Sequence, residues 1–157
     1  MSSLQDQVTG THYKNLKYQP VELSHNLHLS GIQLLIIKYL TRYRNKNGRE
    51  DLIKARHCCQ LATDLNDIPF YKHSLSFFET IIPQYYYHRV RKVEEVIEKE
   101  CRDFCRLNTM YKIYNAVLMT CKGNWSSAYM YITEILEEFD NEQRRAGEQD
   151  SSTESTS

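Results

Sequence analysis

The apolar positions of the chain fall into a succession of helical rows. Ile32, Leu35, Ile36, Tyr39, Leu40 and Tyr43 recur three or four residues apart, which places them on one stripe of an α-helix. Ser30 stands at its start with an oxygen suited to capping, and Asn47-Gly48 supplies a turn after it. A second helix follows with Leu52, Ala55, Cys59 and Ala62 inward, while Glu50 and Asp51 favour its positive amino end. Asn66–Pro69 and Pro83 punctuate the chain. Between them Phe70, Tyr71, Phe77, Phe78, Ile81 and Ile82 predict a short buried helix. Gln84–Arg106 predicts a longer one, with Tyr86, Val90, Val93, Ile97, Cys101 and Phe104 inward. Met110, Ile113, Tyr114, Val117, Leu118 and Cys121 repeat the rhythm until Gly123 ends it. Asn124 can then cap a last helix built on Trp125, Ala128, Ile132, Ile135, Leu136 and Phe139. Ahead of all these, Val21 opens a short helix behind Pro20, a residue suited to a helix entry.

The expectation is an all-α fold: a single helical domain of about five or six helices, with an N-terminal loop and a disordered C-terminal tail. Residues 1–9 read as a flexible terminus, 10–65 as the first segment, 66–143 as the helical remainder of the same domain, and 144–157 as the tail. Composition agrees. Of 157 residues 41% are apolar and 25% charged, which excludes a wholly disordered chain and a membrane bundle. Five glycines and three prolines exclude collagen-like and turn-dense β architectures.

Charge changes the picture. The net charge is zero, yet residues 1–60 hold nine bases against four acids, a net of +5, and the rest carries the compensating −5. Such a basic front half can draw an anion, or the acidic half of a second copy in a homo-oligomer. Five cysteines without a CxxC pair, behind a polar Met1–Gly10 stretch, point to a reduced cytoplasmic setting and to no structural metal. The most apolar run, Leu34–Ile37, is far too short for a bilayer, so no membrane partner is expected. Nucleic acid is not an expected partner either, because a strong nonspecific grip needs an excess of phosphate-neutralising bases. The run Tyr85-Tyr86-Tyr87 before His88 and Arg89 points its rings in three directions on a helix.

One segment carries a family resemblance. Gly10, His12-Tyr13-Lys14, Gln19-Pro20 and Glu22 come first, then Ile37-Lys38-Tyr39-Leu40 with Arg42-Tyr43. Lys46, Gly48, Glu50-Asp51-Leu52, Lys54-Ala55 and His57 follow. In order and spacing residues 10–62 resemble a family of small phage-encoded domains described as SaV-like, some of whose members carry a nucleotide-kinase label. The resemblance implies a bacteriophage or prophage origin and the host cytoplasm, and no settled activity. Two departures stand out: Leu34 and Leu35 where the family tends to have Gly-Asn, and Cys58 where it tends to have an aromatic residue.

The same residues suit a nucleotide-like anion on chemical grounds. Phosphate takes charge-assisted donors, and a base takes an aromatic or guanidinium plane. Lys14, Lys38, Arg42 and Lys54 are the expected phosphate contacts, Tyr13 the stacking ring, His12 a hydrogen-bonding partner, with Gln19 and Asp51 completing the ligand-binding set. Lys38 and Arg42 lie one turn apart on one flank. A structural use of the same groups competes, since Glu50 and Lys54 form a favourable i,i+4 brace. Neither GxxxxGK[ST] nor GxGxxG occurs, so the kinase label has no phosphate-cradling loop behind it. The expected function is binding without turnover, with no cofactor, as in sequestration of a host immune nucleotide signal. An alternative is a magnesium-dependent nucleotide hydrolase using Glu95, Glu98, Glu134 and Glu137, since paired helical carboxylates can hold magnesium. A further alternative is an adaptor that binds a host protein or nucleic acid.

Overall fold

A computed structural model describes residues 19–69, 83–105 and 111–154. The helix expected over 70–82 and the motif His12-Tyr13-Lys14 lie outside these residues. Among the described residues there are six α-helices and no strand: α1 (Pro20–Leu27), α2 (Gly31–Arg42), α3 (Arg49–Asp64), α4 (Pro83–Phe104), α5 (Tyr111–Cys121) and α6 (Trp125–Glu154), with a 3₁₀ turn at Tyr43–Asn45. The all-α reading holds.

Four of the helices close a ring, α2 on α3, α3 on α6, α6 on α5 and α5 back on α2, while α1 and α4 flank it. Side-chain ties fix the directions. Arg49 meets Asp140 at 2.9 Å and Arg44 meets Glu142 at 3.2 Å, near one end of the α3–α6 pair. Arg56 lies over the Tyr129 ring toward the other end, so α3 and α6 run antiparallel. The basic front half and acidic rear half are thus partly folded against each other. Inside the ring Leu23, Ile36, Ile37, Leu40, Leu52, Val117, Ile132 and Ile135 are fully or almost fully buried, which is the stripe the spacing predicts. Each such side chain removed from water stabilises the fold by about 1.5–3 kcal/mol.

Helix ends are set by local chemistry. Ser30 Oγ accepts the Gln33 N–H at 3.2 Å, and Gln33 Oε1 accepts the Ser30 N–H at 2.8 Å, a reciprocal capping box. Gln33 does more, because it is wholly buried. Its Nε2 donates to the Thr120 and Cys121 carbonyls at 2.8 and 3.2 Å, satisfying orphan acceptors at the end of α5. Gly123, with φ +63°, closes that helix; its N–H reaches the Thr120 carbonyl and the Asn124 N–H reaches the Met119 carbonyl, the Schellman pattern. Asn66, with φ +52°, ends α3 in the same way. Asn124 Oδ1 accepts the Ser127 N–H at 3.2 Å at the start of α6, as expected.

α6 continues as helix to Glu154, past Phe139, its last partly buried apolar anchor. From Asn141 to Glu148 every side chain is exposed. Extending an established helix fixes one residue per new hydrogen bond, and Glu, Gln, Arg and Ala suit it.

Candidate functional site

Of the expected ligand contacts that are described, all but Gln19 lie on the α2–α3 hairpin. Ring contacts shape its closed end: Tyr43 packs edge-on against Phe139 with centroids 6.0 Å apart. Gly48 turns the chain at φ +52°, where a Cβ would stand 3.1 Å from the Phe139 ring.

Arg42 and Asp51 find each other across this turn. Arg42 Nε donates to Asp51 Oδ2 and Nη2 to Oδ1, both at 3.1 Å, the forked geometry in which a guanidinium is strongest. Asn47 Nδ2 adds a bond of 3.2 Å to Asp51 Oδ1. The Asp51 side chain is 0% exposed and that of Arg42 16%. The guanidinium carbon also lies 5.0 Å from the Tyr39 ring centroid, within cation–π range. Asp51 was expected to accept hydrogen bonds from a ligand; the structure corrects this. It is shut inside the hairpin, its oxygens are engaged by Arg42 and Asn47, and it acts by fixing Arg42.

Lys38 is half-buried one turn before Arg42; its carbonyl accepts the Thr41 hydroxyl at 3.2 Å, and its ammonium makes no hydrogen bond or ion pair with a described residue. Lys54 pairs with Glu50 one turn back, the brace that the spacing allowed. That hydrogen bond, foremost, holds the Lys54 ammonium above its usual range, with smaller contributions in the same direction from Glu50 charge, Tyr39 and Asp51. Gln19 sits at the entry to α1, where its N–H donates to the Glu22 carboxylate. Its backbone role is that of a cap. Lys38, Tyr39, Arg42 and Lys54 therefore share one face, Gln19 belongs to a helix end, and His12, Tyr13 and Lys14 lie outside the described residues.

The four glutamates of the hydrolase alternative are not gathered. Glu98 binds Lys122 at 2.7 Å, Glu134 binds Lys112 at 3.3 Å and Glu95 binds Arg91 at 3.3 Å, while Glu137 is exposed. Among the described residues no three His, Cys, Asp or Glu side chains are grouped to hold a metal ion. Nor is any helix among them long and apolar enough to cross a membrane.

Sequence reasoning missed a second polar cluster. Ser30 Oγ donates to Asp67 Oδ2 at 2.7 Å, and Trp125 Nε1 donates to the Asp67 carbonyl at 2.9 Å, beside Gln33. The available signal was Gln33 itself, three and four residues before Ile36 and Ile37 and so inside the apolar row. Compared with protein-family models, with curated proteins and with solved structures, the chain matches none.

Proposed function

We propose that the protein binds a small phosphorylated, nucleotide-type ligand without turnover, on the outer face of the α2–α3 hairpin. One observation carries this: Arg42 is anchored to a fully buried carboxylate and spread over Tyr39, with Lys38 on the same helix and Lys54 across from it. An anchored guanidinium has already lost its side-chain freedom, so an arriving anion has less to order. Lys38 and Lys54 supply mobile point charges beside it. Tyr39 offers ring surface to a base, and His12, Tyr13 and Lys14 are the further contacts expected from the sequence. Binding rather than turnover is favoured because the sequence has no phosphate-cradling loop and three of the four candidate carboxylates, Glu95, Glu98 and Glu134, are engaged with basic side chains.

The resemblance of residues 10–62 to phage SaV-like domains supports a place in an infected host. A stoichiometric binder there would withdraw a nucleotide signal of host immunity, and a homo-oligomer would multiply its sites. Thermal-shift measurement against linear and cyclic nucleotides tests the reading. A cognate ligand at a hundred times its Kd stabilises by about 2.7 kcal/mol, or roughly 5–10 °C for a chain of this size. Lys38→Ala is expected to remove most of that shift, and heat denaturation to release the ligand unchanged. No shift with any nucleotide, or release of a cleaved product, ends the proposal.

A further inference from the structure

The two lysines of the hairpin face differ in what stands beside them. Around Lys38 the positions three and four residues away are Leu34, Leu35, Thr41 and Arg42, with no acid among them. Around Lys54 they are Glu50, Asp51, His57 and Cys58. Asp51 is shut inside the hairpin with Arg42 and Asn47, which leaves Glu50 as the acid on the outer stripe, and it holds the Lys54 ammonium. Lys54 also lies near enough to Tyr39 and Asp51 for both to stabilise its charge. The Glu50 carboxylate is therefore kept at the edge of the Arg42–Tyr39 pair, on the face that an anion would approach.

This ion pair is easily opened. Side-chain exposure is 63% for Glu50 and 43% for Lys54, and an i,i+4 pair standing in water contributes little. Glu50 has a second source of stabilisation as well. It is the second residue of α3, where the amino end of the helix favours its charge whether or not it holds Lys54. Giving up Lys54 thus leaves Glu50 in a favourable place.

We propose that Glu50 is a resident competitor of the anion site: it occupies Lys54 in the unliganded protein, and a phosphate must displace it to recruit that lysine. This rests on the reading of the hairpin as an anion site and adds a regulating contact to it. Lys38, with no acid one turn away on its own helix, makes the first contact. Lys54 joins by exchange of a carboxylate for a phosphate.

The probe is inorganic pyrophosphate in metal-free buffer of low ionic strength, titrated into the full chain and followed by phosphorus NMR. Lys38→Ala is expected to weaken binding, and Glu50→Gln to tighten it by about threefold or more, since one negative charge is removed beside the site. A double-mutant cycle then isolates the exchange. Lys54→Met is expected to cost about two- to fivefold more affinity in the Glu50→Gln background than in the unmodified protein, the strength of an exposed ion pair written as a ratio. The Tm of Glu50→Gln is expected to fall by up to about 4 °C, so stability and affinity move in opposite directions, which a plain helix brace does not produce. Equal Lys54→Met effects in the two backgrounds overturn the proposal, because the pair then survives binding. Unchanged or weaker binding by Glu50→Gln overturns it too. If Lys38→Ala still weakens binding in those cases, the anion site itself stands; if no protein of the set binds pyrophosphate, the site and its competitor fall together.

Discussion

Replacing Arg42 by Met tests the center of the hairpin. Methionine keeps the apolar stem that packs along α2 and removes the guanidinium, so Asp51 retains only the Asn47 bond of 3.2 Å while its side chain stays 0% exposed. Breaking a buried pair from one side costs about 3–5 kcal/mol, because the remaining charge is left without its counterion. Loss of the cation–π contact with Tyr39 adds about 0.5–1 kcal/mol. With a urea m-value of about 2 kcal/mol/M, the unfolding midpoint is expected to fall by roughly 2 M. The double variant Arg42→Met/Asp51→Leu removes both charges and is expected to recover most of that loss, which gives a coupling energy above about 2 kcal/mol in a double-mutant cycle. The assay is urea unfolding at neutral pH followed by circular dichroism, with all four proteins under one buffer. A cost below about 1 kcal/mol for Arg42→Met, the range of an exposed ion pair, would refute the claim that Asp51 is a buried anchor.

Three further outcomes follow from particular contacts. Gly123→Ala puts a Cβ 2.1 Å from Pro69 Cγ at a φ of +63°; the left-handed penalty alone is about 1–2 kcal/mol, so calorimetry should show a Tm drop of at least about 3–6 °C. Gln33→Leu strands the Cys121 carbonyl and the Ser30 N–H and leaves the Thr120 carbonyl only the Gly123 N–H, an expected loss of about 2–4 kcal/mol in urea unfolding. Burial, foremost, raises the Cys59 and Cys105 thiols to about 12 from an ordinary 9.0. The native state therefore keeps protons that the unfolded chain releases across that interval, so stability is full below pH 9 and declines as pH rises toward 12. Urea midpoints measured from pH 8 to 10.5 should fall, and Cys59→Ala should flatten the slope whatever it does to the level.

Among the described residues, periodicity in the sequence was enough to place the buried stretches of the helices because it reports burial directly. The rows through Ile36, Leu52, Val117 and Ile132 are the buried ones. Ser30, Gly123 and Asn124 act as the caps and stops that their types suggest, since these depend on neighbours within a few residues. Gln33 was not legible as a bridge. Its amide joins carbonyls 87 and 88 residues away, and no local pattern states which helix end will arrive beside it.

The site was legible as a set of residue types and not as an arrangement, for a related reason. Arg42 and Asp51 are nine residues apart on different helices, so both read as polar groups available to a ligand. Yet Asp51 falls four before Ala55, seven before Cys58 and eleven before Ala62, a buried helical row in its own right, and an acid in such a row needs a cation on the facing helix. Arg42, at the end of α2 and across the Asn47-Gly48 turn, is within reach. Once Arg42 is claimed from inside, the outward charge of the hairpin rests on Lys38 and Lys54, with Arg42 as a fixed plane between them. An anionic ligand or partner that uses this face is therefore sensitive first to Lys38, which has no competing acid among the described residues. For such a ligand Asp51, shut inside the hairpin, would act only through the angle at which it holds Arg42.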